Sequence, residues 1–129
     1  MKKNLLVLSG MLMFALAGCG RDENQVQIPA QRWNDMDVRI ETHPNPPVAG
    51  MSEIVSIVTG PHGKPISDLL VSYRSSDGMP WVQAIQDGKI GVYRRAVDIG
   101  AGSEVELQVK LQQHEREQVL RYKVRLESD

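Results

Sequence analysis

One thiol, three imidazoles and six thioethers are the soft chemistry that this chain of 129 residues carries. The thiol is Cys19, the imidazoles are His43, His62 and His114, and three of the methionines, Met36, Met51 and Met79, fall beyond the first twenty residues. Thioethers and imidazoles together suit copper(I). A local copper motif would place them as Met-x-Met or His-x-x-His, and neither spacing occurs beyond the first twenty residues. A site would therefore have to be assembled by the fold from His43, Met51, His62 and Met79, with His62 and Met79 expected to meet at one end of the domain. In plainer roles, Met51 would cap a strand and Met79 would fill a gap in the core. Enzymatic motifs are missing. There is no Gly-x-Ser-x-Gly elbow, no phosphate-binding loop of Walker type and no His-Glu-x-x-His. Ser75-Ser76-Asp77-Gly78 reads as a turn rather than a nucleophile with its acid. The chain is expected to be non-enzymatic and, copper aside, without a cofactor.

Cys19 is explained by what precedes it. Met1-Lys2-Lys3-Asn4 is basic, residues 5–16 (LLVLSGMLMFAL) are almost wholly apolar, and Ala17 and Gly18 are small. That order is an export signal, and the apolar run falls short of the ~20 residues a membrane span needs. Leu16-Ala17-Gly18-Cys19 resembles the lipobox of bacterial lipoproteins. The resemblance implies a diacylglycerol thioether on Cys19, cleavage between Gly18 and Cys19, and acylation, palmitate included, at the new amino end. A thioether leaves no free thiol in an oxidising compartment, and two or more acyl chains anchor firmly. Gly20, rather than an aspartate, follows the cysteine. The lipoprotein resemblance then implies the periplasmic face of the outer membrane where the envelope has two membranes, and otherwise the outer face of the plasma membrane.

The expected organisation is a signal peptide over residues 1–18, a lipidated cysteine with a flexible tether over 19–35, and one domain over 36–129. Without Lys2 and Lys3 the basic count falls from 15 to 13 against 16 acids, a formal charge of −3. Both signs are interspersed, so the concentrated positive surface that nucleic acid requires is not there. The polar stretch from Gly20 onward has an r.m.s. reach of roughly 20 Å. Trp33, its one aromatic residue, is expected to plug the domain edge.

From Asp37 the chain reads as short strands broken by turns. Residues 38–42 alternate, and 54–58 (IVSIV) are β-branched. Residues 69–73, 81–85 and 90–97 follow, with Asp87-Gly88 as a hairpin signal. In residues 104–112 (EVELQVKLQ) and 120–126 (LRYKVRL) the alternation is strict, the mark of a strand with one dry and one wet face. Pro44, Pro46 and Pro47 forbid helix between the first two strands. The class is all-β, a seven-stranded immunoglobulin-like β-sandwich, expected as a monomer.

Three pieces of punctuation resemble the YtkA-like domains, small bacterial extracytoplasmic sandwiches related in architecture to CopC-like copper proteins. They are Pro44-Asn45-Pro46-Pro47-Val48-Ala49-Gly50, the Gly-Lys-Pro turn at Gly63-Lys64-Pro65, and Gly91-Val92-Tyr93 with Gly102 and the strand after it. The resemblance covers roughly residues 37–126. It implies copper handling or accessory work in respiratory oxidase assembly. It supplies no ligand set, because the Met/His clusters of copper carriers are missing here. The residues themselves favour a membrane-anchored interaction module for another envelope protein. Met79 and Trp81, beside a turn, are the candidate partner surface, since Met and Trp are enriched in interface cores. Trp81 pointing inward as the core aromatic of its sheet is the competing expectation.

Overall fold

The computed structural model describes residues 27–127; Cys19, the 1–18 segment and the first part of the tether lie outside the described residues. Nine strands are present among them: β1 (Gln31–Trp33), β2 (Met36–His43), β3 (Met51–Thr59), β4 (Leu70–Arg74), β5 (Val82–Gln83), β6 (Ile85–Gln86), β7 (Val92–Asp98), β8 (Glu104–Gln113) and β9 (Arg116–Arg125). They form two antiparallel sheets, one in the order β1-β2-β3-β7-β6 and the other β5-β4-β8-β9. The all-β class expected from the sequence is what the described residues adopt.

Alternation does what it should in β2, whose residues are buried and exposed in strict turn. In β9 the side chains of Leu120, Tyr122 and Val124 are buried between exposed Arg121, Lys123 and Arg125. Each such side chain removed from water contributes about 1.5–3 kcal/mol.

Two departures from the sequence expectation concern strand count and domain boundary. The segment expected as one strand over residues 81–85 is two. Val82–Gln83 pairs with β4 in the second sheet, and Ile85–Gln86 pairs with β7 in the first. Ala84 is the step between them, buried, with its N–H on Val71 O at 2.7 Å. A side chain no larger than a methyl lets the chain pass from one sheet to the other there. The second departure is β1. The boundary expected at Met36 moves upstream, because Gln31–Trp33 pairs with β2, Trp33 is buried as the expected plug, and Ile28 packs against the core. A three-residue strand in a polar stretch has no period to betray it; burial of Trp33 and Ile28 supplies what the pattern does not show.

The core carries all three tyrosines, each at most 1 % exposed. The Tyr73 hydroxyl reaches from β4 in the second sheet to the first, where it pairs with Ser56 Oγ at 2.5 Å and donates to Tyr93 O at 3.1 Å. Tyr122 crosses from β9 to donate to Val38 O at 3.0 Å. Tyr93 donates to Ile66 O at 2.8 Å and accepts from Leu69 N–H at 3.3 Å, tying down the β3–β4 connection. Ser56 serves this network from an inward position of β3, and buried Ser52 bonds the backbone of Val48. β3 therefore has two serines among its inward residues while Val55 and Ile57 point outward. Gly91 passes so close to β3 that a Cβ would lie 2.5 Å from Val58 O, at a φ of +77° that favours glycine.

Replacing Tyr73 by Phe leaves Ser56 buried with its partner gone, and urea unfolding should show a loss of about 1–3 kcal/mol; an unchanged midpoint would mean the inter-sheet bond contributes nothing. Burial is the leading cause that pushes all three phenols above tyrosine's usual value near 10. Their folded forms keep protons that the unfolded chain releases, so stability is full below pH 10 and falls as pH rises beyond it. The expected slope is up to about 1.4 kcal/mol per pH unit from Tyr73 alone, read from chemical unfolding at a series of alkaline pH values.

Candidate functional site

The β4–β5 connection is an arm that folds back over the outer face of the second sheet. Its base is set by register. Tyr73 pairs with Val82, so the next rung outward sets Trp81 beside Arg74 on the solvent side. The Arg74 guanidinium carbon lies 4.1 Å from the Trp81 ring centroid and Lys110 Nζ lies 4.7 Å from it. Two cations against one indole hold it by the attraction of its electron-rich face.

Asp77 fastens the tip. Its Oδ1 accepts from Gln108 Nε2 at 2.8 Å, and Arg74 approaches at 3.4 Å and Arg121 at 3.9 Å. Gln108 in turn accepts from Arg74 Nε at 2.8 Å. The Gln108 hydrogen bond, then the charges of Arg121 and Arg74, hold the Asp77 carboxyl below the usual carboxylate range. Arg121 also donates to Glu106 at 2.6 Å, which raises its already high pKa further. Glu106 is in register with Lys123, so this bond runs on the diagonal. Gln108 points outward from β8 and is still only 2 % exposed, because the arm lies over it. Met79, with its N–H on Ser76 O, stands at the tip and is 38 % exposed.

The arrangement corrects two expectations. Trp81 is not the core aromatic of its sheet, and Met79 does not fill a core gap; both belong to the arm. Register decides this, since Trp81 falls on the outward phase of its rung while Val71, Tyr73 and Ala84 take the inward one. Trp81 and Met79 do share one surface feature, as their joint candidacy anticipated.

The metal candidates are scattered. His62 sits in a 3-10 turn, Pro61–Gly63, between β3 and β4. Met79 follows the far end of β4, so the two lie at opposite ends of that strand and the meeting expected from the sequence does not occur. His43 ends β2 and Met51, 60 % exposed, begins β3, on either side of the 44–50 loop. His114 at the β8–β9 tip lies 3.7 Å from Asp68. Among the described residues no group of three or more His, Cys, Asp or Glu is placed to hold a metal ion. Arg74, Gln108 and Lys110, which carry the arm, were not singled out by sequence reasoning. Each occupies an ordinary outward position of an alternating strand, and nothing local marks it.

No family model matches the chain, and no curated protein and no solved structure matches it.

Asp77→Ala should free the tip while leaving the sandwich intact. Hydrogen exchange is expected to quicken at the Met79 amide and its neighbours with the β8–β9 amides unchanged; protection that persists at Met79 would show that Trp81 alone holds the arm.

Proposed function

We propose that this chain is a membrane-anchored extracytoplasmic lipoprotein whose immunoglobulin-like sandwich is a non-enzymatic binding module, offering the arm around Met79 and Trp81 to another envelope protein. The observation that carries the reading is the arm itself. An exposed methionine stands on a turn whose base is locked by Trp81 against two cations and by Asp77 on Gln108. A rigid loop with an apolar tip loses little conformational entropy on binding, which is what a recognition element needs. The lipobox-like Leu16-Ala17-Gly18-Cys19 supports the anchor.

Strand order supports the immunoglobulin-like assignment. With β1 set aside, β2-β3-β7-β6 faces β5-β4-β8-β9, in the manner of the A-B-E-D and C′-C-F-G sheets of such domains. The spread of His43, Met51, His62 and Met79 over both ends of the sandwich weighs for protein recognition over the copper handling that the YtkA-like resemblance implies.

The test uses the full chain in its own envelope. Cys19→Ser is expected to stop incorporation of labelled palmitate and to shift the protein to the soluble or unprocessed fraction; palmitate entering the Cys19→Ser chain would refute the anchor. A photo-crosslinking residue in place of Met79 should give a discrete heavier adduct that Trp81→Ala abolishes. The same probe in place of Glu115, at the opposite end, should give none. Equal labelling from both positions would sink the arm as a docking element.

A further inference from the structure

We infer that the outer face of the first sheet is the contact surface of a homodimer, in which two copies of this chain pack sheet to sheet. β3 is apolar on both faces. Its inward positions carry Ile54 and Val58 beside Ser52 and Ser56, and its outward positions include Val55 and Ile57. Apolar residues on both faces belong to a strand covered on both.

The neighbours extend the anomaly into a band. Ile57 is in register with Val92 of β7, and Val55 with Arg94, which is in register with Ile85 of β6. Ile57 and Val92 are half-buried, and Ile85 is 62 % exposed. Val55 is 3 % exposed without belonging to the core cluster. Arg94 lies down beside it: the guanidinium is held by Glu53 at 3.4 Å and Asp87 at 3.1 Å, and its Nε is buried without a hydrogen-bond partner. An arginine stem pressed onto the sheet is a partial cover for apolar surface. Charged pairs border the band and cross it: Arg39–Glu41 lies on the β2 side, and Arg94, paired with Glu53 and Asp87, stands between Val55 and Ile85. Arginine is among the residues enriched in protein interfaces.

The charges select the occupant. Glu41 and Arg94 are both in register with Val55, one on each side of β3. A two-fold axis running along β3 lays the β2 column of one copy over the β7 column of the other. Val55 and Ile57 then face their own equivalents. Glu41 meets the Arg94 of the second copy, and the reverse contact repeats it, as an isologous interface demands. Three strands of seven to nine residues, edged by the short β1 and β6, give a face of roughly 450 Å² in projection. The accessible area of a corrugated face is larger, which brings it to the ~600 Å² per partner at the low end of specific interfaces. The arm lies on the other sheet, so pairing leaves both arms free. This departs from the monomer expected from the sequence, and it holds whether or not Cys19 carries lipid.

The test is oxidative cross-linking of the full chain in its membrane with diamide. Ile57→Cys should give a disulfide-linked species of twice the chain's mass, well above the unsubstituted chain and above Val119→Cys on the outer face of the second sheet. Adding Glu41→Arg should cut the yield about tenfold, since like charges brought together across an interface repel strongly. Sedimentation equilibrium of the unsubstituted chain in density-matched detergent should return the dimer mass, which guards against a misfolded cysteine variant. A monomer mass, a yield no higher than Val119→Cys, indifference to Glu41→Arg, or a link to a chain of different mass would each overturn the homodimer; the last would assign the band to another protein.

Discussion

The hydroxyl of Tyr73 is the point at which the two sheets are pinned. A phenol in a dry interior must find a partner or lose several kilocalories per mole, and the partner it finds is a serine on the opposite sheet. That one requirement sets the relative placement of β4 and β3. It also makes the Tyr93 carbonyl part of the interior rather than of the ladder alone. Tyr122 repeats the logic at the β2–β9 side through Val38. Polar networks of this kind are worth most when every member is satisfied, and here each tyrosine hydroxyl is. An aliphatic core specifies burial; these bonds specify which strand lies over which.

The same requirement propagates to the surface. Because β3 must present Ser56 inward, its phase is set, and Val55 and Ile57 are turned toward solvent. The band on the outer face is thus the counterpart of the serines inside. The open sides of the sandwich are closed in two different ways. On one, a single stretch of chain serves both sheets by stepping across at Ala84. On the other, β1 and Ile28 fill the gap, and Gln31 Nε2 donates to Arg121 O at 2.6 Å across the two edges.

What the sequence showed follows from period. The sequence alternates through residues 38–42, 104–112 and 120–126, so the existence and the dry faces of β2, β8 and β9 were legible. β3 was legible as a strand from its β-branched run, but its run of apolar residues could not say which face is dry; only the distant Tyr73 decides that. β5 and β6 are two residues each, too short for any period, and the change of sheet between them is a tertiary event. Trp81 reads as a core residue on hydrophobicity and is placed outside by one step of register. The arm's fastenings, Gln108 above all, are ordinary polar side chains whose role exists only once residue 77 has been brought over them. His62 and Met79 look like a pair only while strand direction is unknown.

β1 gives the domain a mechanical character. Residues 27–33 run antiparallel to β2, so that Gln27 lies toward the end that carries the 44–50 loop and Trp33 toward the other. A load applied at Gln27 along that line pulls parallel to the strands. The rungs joining Gln31, Arg32 and Trp33 to β2 are then strained together in shear rather than peeled one after another. Trp33 and Ile28, seated between the sheets, resist the slide as wedges do. A domain held by a leash at this corner would bear tension as a lap joint does, with the strain spread over the whole overlap.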